Sequence, residues 1–245
     1  LSHLSLVTIQ VKIFKQSYLR SMVKMFQNNL LMAAASAGGG QFTVTAEELQ
    51  PFFTFTGTVS KTFSDVDLGD DTSDAKHVIL ALAWGSDATA FSSCTIAGVT
   101  ATNLVTTASP FPYQRTIILI AQTTATTGDI VFTQASGGFG GAVFQTFQML
   151  NGSATPTDTI SNNAMPSTGT IDIVAGGFCI GIMESNTSAT LSWIGLTERY
   201  DRGSNAAYGI AYDMEMSAET GRTVTATPSG APGQRALAVA SFGPA

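Results

Sequence analysis

The sequence predicts an all-β fold: a two-sheet sandwich or jelly roll with an internal pseudo-repeat, preceded by an N-terminal helical or extended anchor. Three observations predict it. About a dozen short runs rich in β-branched and aromatic residues follow residue 50, with no helical pattern of comparable strength. Turn-forming clusters separate them: GSD, AGV, SPFP, TTGD and SGGFGG. The order of runs in the first half returns in the second.

The elements follow in order. Residues 1–24 support two readings. Thr8, Gln10 and Lys12 alternate with Ile9, Val11 and Ile13 as in a strand, whereas Leu4, Val7, Val11, Phe14, Tyr18, Met22 and Met25 share one helical face. The first residue is Leu, so this stretch reads as an extension, with Met25 and Met32 as alternative starts. From Lys15 to Ala37 helix is favoured, because Leu, Met and Ala dominate and Gly38 stops it. The segment MFQNNLLMAAASAGGG, Met25–Gly40, ends in a three-glycine hinge. Residues 1–40 are thus expected to form a docking segment, with Phe26, Leu30, Leu31 and Met32 supplying apolar area and Gly38, Gly39 and Gly40 the swivel. Alone such a helix is marginal and would order against a partner.

Residues 41–245 are expected to form one β domain built from two similar halves, about 41–150 and 168–245. FFTFTGT (Phe52–Thr58) opens it, and HVILALAW (His77–Trp84) is a near-continuous apolar run, as in a strand buried on both faces or in a sandwich core. Strands are then expected over Cys94–Ala97, Thr100–Thr106, Thr116–Gln122, Asp129–Gln134 and Ala142–Leu150. The second half continues with Thr170–Val174, Phe178–Met183, Thr190–Leu196, Ala206–Met216, Arg222–Thr227 and Arg235–Phe242. HVILALAWGSDATA pairs with GFCIGIMESNTSAT, TIAGVTATNLVTTAS with SWIGLTERYDRGS, TIILIAQTTATTGDIVFT with AYGIAYDMEMSAETGRTVTAT, and AVFQTFQML with ALAVASFGP. Asn151–Ser167 reads as the crossing between halves. One domain is preferred over two because each half alone would leave a sheet face bare.

Composition narrows the function. Charged residues are 11% of the chain against about 25% in ordinary soluble domains, so the surface is not that of a typical cytosolic enzyme. The net charge is −6, yet residues 1–40 carry Lys12, Lys15, Arg20 and Lys24 and no acid. An acidic body argues against nucleic acid as a partner, since phosphate contacts need clustered Lys and Arg. No apolar run approaches the ~20 residues of a membrane helix, and no membrane partner is expected. Cys94 and Cys179 lie far apart in strand-like runs and read as buried, reduced thiols.

Catalytic signatures are sparse. Asp65, Asp67, Asp70, Asp71 and Asp74 form the one carboxylate cluster. An EF-hand register fails on Asp70 and Lys76, so the cluster reads as an Asp-rich turn capping backbone N–H groups, with a surface Ca²⁺ site of Asp65, Asp67 and Asp71 as the alternative. No cofactor is expected. His77 opens a buried strand, SGGFGG is not a phosphate loop, and no Ser sits in a G-x-S-x-G elbow. Trp84 and Trp193 read as core residues; Tyr113 with Arg115 and Tyr200 with Arg202 are candidates for a contact surface.

The ordered set HVILALAW, CTIAGVTATNLV, RTIILIAQTTATTGDIVFT, AVFQTFQML and SATPTDT, followed by TLSWIGLTERYD, resembles a β-sandwich module of tailed-bacteriophage and prophage structural proteins. FQNNLLMAAASAGGG resembles the short N-terminal segment of phage tail and surface-fibre proteins. The resemblance implies a non-enzymatic virion protein, assembled in the host cytoplasm, that anchors by its N-terminus to capsid, portal, collar or tail proteins. It would present its β body outward for host attachment, with a surface glycan as a possible ligand class and a homotrimer as its oligomer. A capsid decoration protein is the first alternative and a carbohydrate-binding module the second.

Overall fold

The computed structural model describes residues 40–53, 59–86, 91–108, 114–134, 139–186, 190–204, 206–230 and 234–245. The expected docking segment, with Phe26, Leu30, Leu31, Met32, Gly38 and Gly39, lies outside these residues; Gly40 is exposed and belongs to no element. The chain divides at Gln41, and Phe42–Ala245 is one compact unit.

Among the described residues there are seventeen strands and no helix. The first half holds β1 (Thr43–Phe53), β2 (Ser60–Asp67), β3 (Lys76–Ser86), β4 (Phe91–Ile96), β5 (Val99–Thr100), β6 (Thr102–Ala108), β7 (Gln114–Gln122), β8 (Thr127–Gln134) and β9 (Phe139–Leu150). The second holds β10 (Asp158–Asn162), β11 (Ser167–Ile173), β12 (Gly177–Ser185), β13 (Leu191–Ile194), β14 (Glu198–Ser204), β15 (Ala206–Met216), β16 (Glu219–Pro228) and β17 (Arg235–Phe242). All pairings between them are antiparallel.

The all-β sandwich stands, but the sandwich is built twice. The first half makes a large sheet, β1-β9-β3-β7-β6, and a small one, β2-β8-β4-β5. The second makes a large sheet, β10-β17-β12-β15-β14, and a small one, β11-β16-β13. Each strand of one large sheet has its counterpart at the same place in the other, so the pseudo-repeat is a repeat of topology. The crossing segment Asn151–Ser167 contributes β10, an edge strand of the second large sheet.

Three cores follow from this arrangement. The first lies between the small and large sheets of the first half and contains Val78, Leu80, Leu82, Trp84, Leu119, Phe132 and Phe144. The third is its counterpart in the second half, with Ile171, Cys179, Met183, Val224 and Leu237. The second joins the two large sheets face to face, through Ile79, Ala81, Ile118, Phe147, Phe178, Ile180, Ile210 and Phe242. The layers therefore run small, large, large, small.

This stacking explains the sequence pattern. Every residue of β12 is buried, and Val78–Trp84 of β3 is at most 2% exposed, because both faces of these strands meet a core. The small sheets bury one face only, and β8 and β16 accordingly alternate buried with half-exposed residues. Each large apolar side chain sealed between the layers contributes about 1.5–3 kcal/mol.

The large sheets meet unevenly. β17 lies against β6 and β7, β10 against β6, and β12 against β3 and β7. There the Thr107 hydroxyl donates to the Leu237 carbonyl at 2.6 Å, and the Ser161 hydroxyl to the Thr106 carbonyl at 3.1 Å. Toward β9 and β15 the space is filled by rings: Phe147 packs edge-on against Tyr212 at 5.0 Å and tilts against Phe178 at 5.1 Å.

Two expectations need correcting. The sandwich of two sheets becomes four, since each half supplies its own pair; the bare face that argued for one domain is the outer face of each large sheet, and the halves cover it for each other. The internal match pairs the right strands but is one residue out of register on the inner ones. It sets Val78 against Phe178, which face different cores, and Ala142 against Ala236 likewise. A one-residue slip exchanges the faces of a strand, and a strand buried on both faces gives the sequence no signal to detect it.

Candidate functional site

A fully buried carboxyl lies at the interface of the halves. It belongs to Glu184, the last residue but one of β12, on the face that carries Phe178, Ile180 and Ile182. Its register partner on β15 is Tyr208, whose own partner on β14 is Arg202, so the three form a row across the second large sheet. The first half meets this row with backbone. The Arg115 N–H of β7 donates to Glu184 Oε2 at 3.0 Å, and the Gly85 N–H of β3 donates to the Tyr208 hydroxyl oxygen. Tyr208 is hydrogen-bonded to the Glu184 carboxyl, while Glu184 Oε1 has no hydrogen-bond partner among the described residues.

Burial dominates the electrostatics here. Desolvation drives the Glu184 carboxyl well above the ordinary carboxylate range; the bonds from Arg115 and Tyr208 and the charge of Arg115 oppose it without cancelling it. The Tyr208 hydroxyl is raised by burial and by Glu184, and the Arg115 guanidinium is lowered by desolvation. The cluster can hold a proton, and it joins the two halves through polar bonds at one end of their shared core.

The opposite end of the strands is acidic. An open groove of about 630 Å³ is lined by Thr45, Glu47, Asp65, Asp67, Gly69, Asp70, Thr126 and Thr127. Behind it sits Lys76, fully buried, its ammonium donating to the Ala125 carbonyl at 2.7 Å and the Gly69 carbonyl at 3.2 Å. Burial lowers the Lys76 pKa, while the charges of Asp71, Glu47, Asp70 and Asp67 hold it up. The Glu47 carboxyl is raised by burial and by Asp67 and Asp70.

Of the proposed Ca²⁺ ligands, Asp65 and Asp67 line this groove and Asp71 does not. Asp67 Oδ1 accepts the Gly69 N–H at 2.9 Å and Asp71 Oδ1 accepts the Ser73 N–H at 2.7 Å, so both act as turn caps. Asp65 sits at φ 58° in the irregular stretch of β2 between Phe63 and Val66. Among the described residues no three His, Cys, Asp or Glu side chains are placed to hold a metal ion.

A smaller cleft of about 250 Å³ opens where β1 meets the second half, between Phe42–Thr45 and Gly176, Phe178, Met214 and Glu215. The outer faces of the small sheets are rich in hydroxyls. Thr168 and Thr225 are hydrogen-bonded at 2.7 Å on one, and Ser60 and Thr133 at 3.2 Å on the other. Ile194, 64% exposed, shares the first of these faces.

Of the contact-surface candidates, Arg115, Tyr200 and Arg202 are half-buried; Arg115 and Arg202 flank the Glu184–Tyr208 pair, and Tyr200 packs against the middle core. Tyr113 lies outside the described residues. Trp84 is fully buried, its indole N–H donating to Gln134 Oε1 at 3.2 Å, and Trp193 packs against the third core, as expected of core residues. Glu184 itself was visible in the sequence only as a charge closing an otherwise apolar run, GFCIGIME.

Comparison with protein families, with curated proteins and with solved structures finds no match to this chain.

Proposed function

We propose that this chain is a non-catalytic structural protein of a tailed-phage particle, a fibre, spike or collar component that anchors by residues 1–40 and presents a rigid β stack outward. The observation that carries the non-catalytic part is that the described thiols and the Glu184 carboxyl are sealed in packed interfaces. Cys94, Cys179 and Glu184 are each at most 1% exposed, where no substrate reaches them. A stack in which both central sheets are buried on each face resists deformation, which suits a projecting element. The phage assignment itself rests on the sequence resemblance, together with the basic, apolar leader that precedes the acidic body.

The test is incorporation. Full-length chain should join particles, and a chain starting at Gln41 should remain folded, soluble and unincorporated; normal incorporation of the truncated chain would end this reading. A mass measurement in solution at micromolar concentration is expected to give a trimer. A second reading, a decoration protein lying flat on the shell, is favoured by Ile194 exposed on a hydroxyl-rich face. In that case Ile194→Lys would abolish particle binding even with the leader intact.

A further inference from the structure

We propose that Glu184, Tyr208 and the backbone amides of Arg115 and Gly85 form a proton-controlled latch that holds the two halves of the stack together at one end. The geometry is that of a latch because two of its bonds cross the interface. The Glu184 carboxyl, from the second half, takes the Arg115 N–H of the first at 3.0 Å. The Tyr208 hydroxyl, also from the second half, takes the Gly85 N–H of the first. Glu184 and Tyr208 are bonded to one another, so the two crossings are one unit. The other polar bonds described across this interface, from the Thr107 hydroxyl to the Leu237 carbonyl and from the Ser161 hydroxyl to the Thr106 carbonyl, join groups that do not titrate. The members of the middle core named above are apolar chains that hold the sheets without regard to pH.

The proton matters because the carboxyl is buried and only one of its oxygens takes a bond from the first half. Glu184 is fully buried and its Oε1 lacks a partner among the described residues. A neutral carboxyl tolerates that position; an ionised one with an unsatisfied oxygen does not. The charged and titratable groups around it are Arg115 on β7, Tyr208 on β15, Arg202 on β14 and Arg235 on β17, the last opposite Ser185. β3 brings Trp84 and Gly85, which carry no charge. The Arg115 charge favours the ionised form, but burial outweighs it. The direction follows by linkage. The folded carboxyl titrates above its unfolded value, so the latch is fully engaged below the ordinary carboxylate range. It weakens as pH rises through the window up to the folded value, and is constant above it. Release hydrates the carboxylate by parting β12 from β7 and β15 from β3 at this end, leaving the apolar remainder of the interface in place.

The experiment uses the full chain and amide hydrogen exchange, expressed as protection factors so that the intrinsic pH dependence of exchange is removed. The Arg115 and Gly85 amides should lose protection together as pH is raised from 4.5 to 9, by up to about tenfold per pH unit within the window. The Ile180 and Ile210 amides, in the body of the same core, should change little. In Glu184→Gln the Arg115 and Gly85 amides should keep their protection at every pH. The Glu184 side-chain carboxyl ¹³C shift, read in the unmutated chain, should titrate over the same window, which covers the case of a variant that does not fold. The proposal is overturned by pH-independent protection in the unmutated chain, by a pH dependence that survives Glu184→Gln, or by a carboxyl shift that titrates in the ordinary range.

Discussion

Lys76 is a lysine without water. Its ammonium is held by two backbone carbonyls and surrounded by Glu47, Asp67, Asp70 and Asp71, so it supplies from within the positive charge that the acidic end of the body lacks outside. Lys76→Met should cost about 2–4 kcal/mol in urea denaturation, because both carbonyls lose their donor and the carboxylates their counter-charge. Added salt should recover part of the loss by screening the acids; a variant as stable as the original would refute this account of Lys76. Chelator should leave the melting temperature unchanged, since Asp67 and Asp71 each cap a backbone N–H with one oxygen and are not gathered with a third ligand among the described residues. The thiols offer a further check. Burial pushes Cys94 up to about 12 and raises Cys179 as well, so the thiolate fraction is negligible at pH 8. A disulfide reagent should modify neither thiol in the native chain and both after denaturation. At this scale the sequence was legible where the chemistry is local. The caps at Asp67 and Asp71 and the buried cysteines could be read directly, whereas Glu184 acquires its properties from segments far off in the chain, such as Arg115, 69 positions away.

At the scale of the element, glycines decide how closely the second half packs. Gly181 and Gly209 sit on β12 and β15 beneath Trp193, and a Cβ on Gly209 would lie 2.4 Å from Leu191 Cδ1 and 3.2 Å from the indole nitrogen. Gly209→Ala should destabilise by about 1–3 kcal/mol through overpacking. Gly195 ends β13 with φ 86°, and a Cβ there would stand 2.1 Å from the Thr223 carbonyl oxygen. Gly195→Ala therefore combines a disfavoured backbone with a clash against main chain that cannot move aside, and should cost about 3 kcal/mol or more. Both values are readable from chemical denaturation, and a neutral result at Gly195 would mean the β13–β14 turn is not held in this conformation. The inner strands were legible because a run such as HVILALAW needs two cores to cover it. The polar edge strands β2 (SKTFSDVD), β10 (DTISN) and β14 (ERYDRGS) were not expected. An edge strand shows half its surface to solvent and pairs on one side only, so its composition resembles that of a loop.

For the whole molecule, the two halves stand in the relation of partners in a dimer fused into one chain. Each completes its own small-on-large sandwich and leaves the outer face of its large sheet to be covered by the other. A fragment ending at Leu150 should therefore fold poorly or associate, because the face of Ile79, Ala81, Ile118 and Phe147 would be exposed. Coexpression with a fragment starting at Asn151 should recover a soluble one-to-one complex. Independent, monomeric and soluble halves would show that the middle core is dispensable.

The sequence by itself determined the class of the fold, the duplication and the buried character of β3, because hydrophobic pattern and turn chemistry act over a few residues. Tertiary structure alone decided that the duplication yields four layers rather than two, which face of each inner strand meets which core, and that Glu184 becomes a buried link between the halves. Those depend on contacts between segments far apart in the chain, and a strand buried on both sides carries no mark of which neighbour lies on which side.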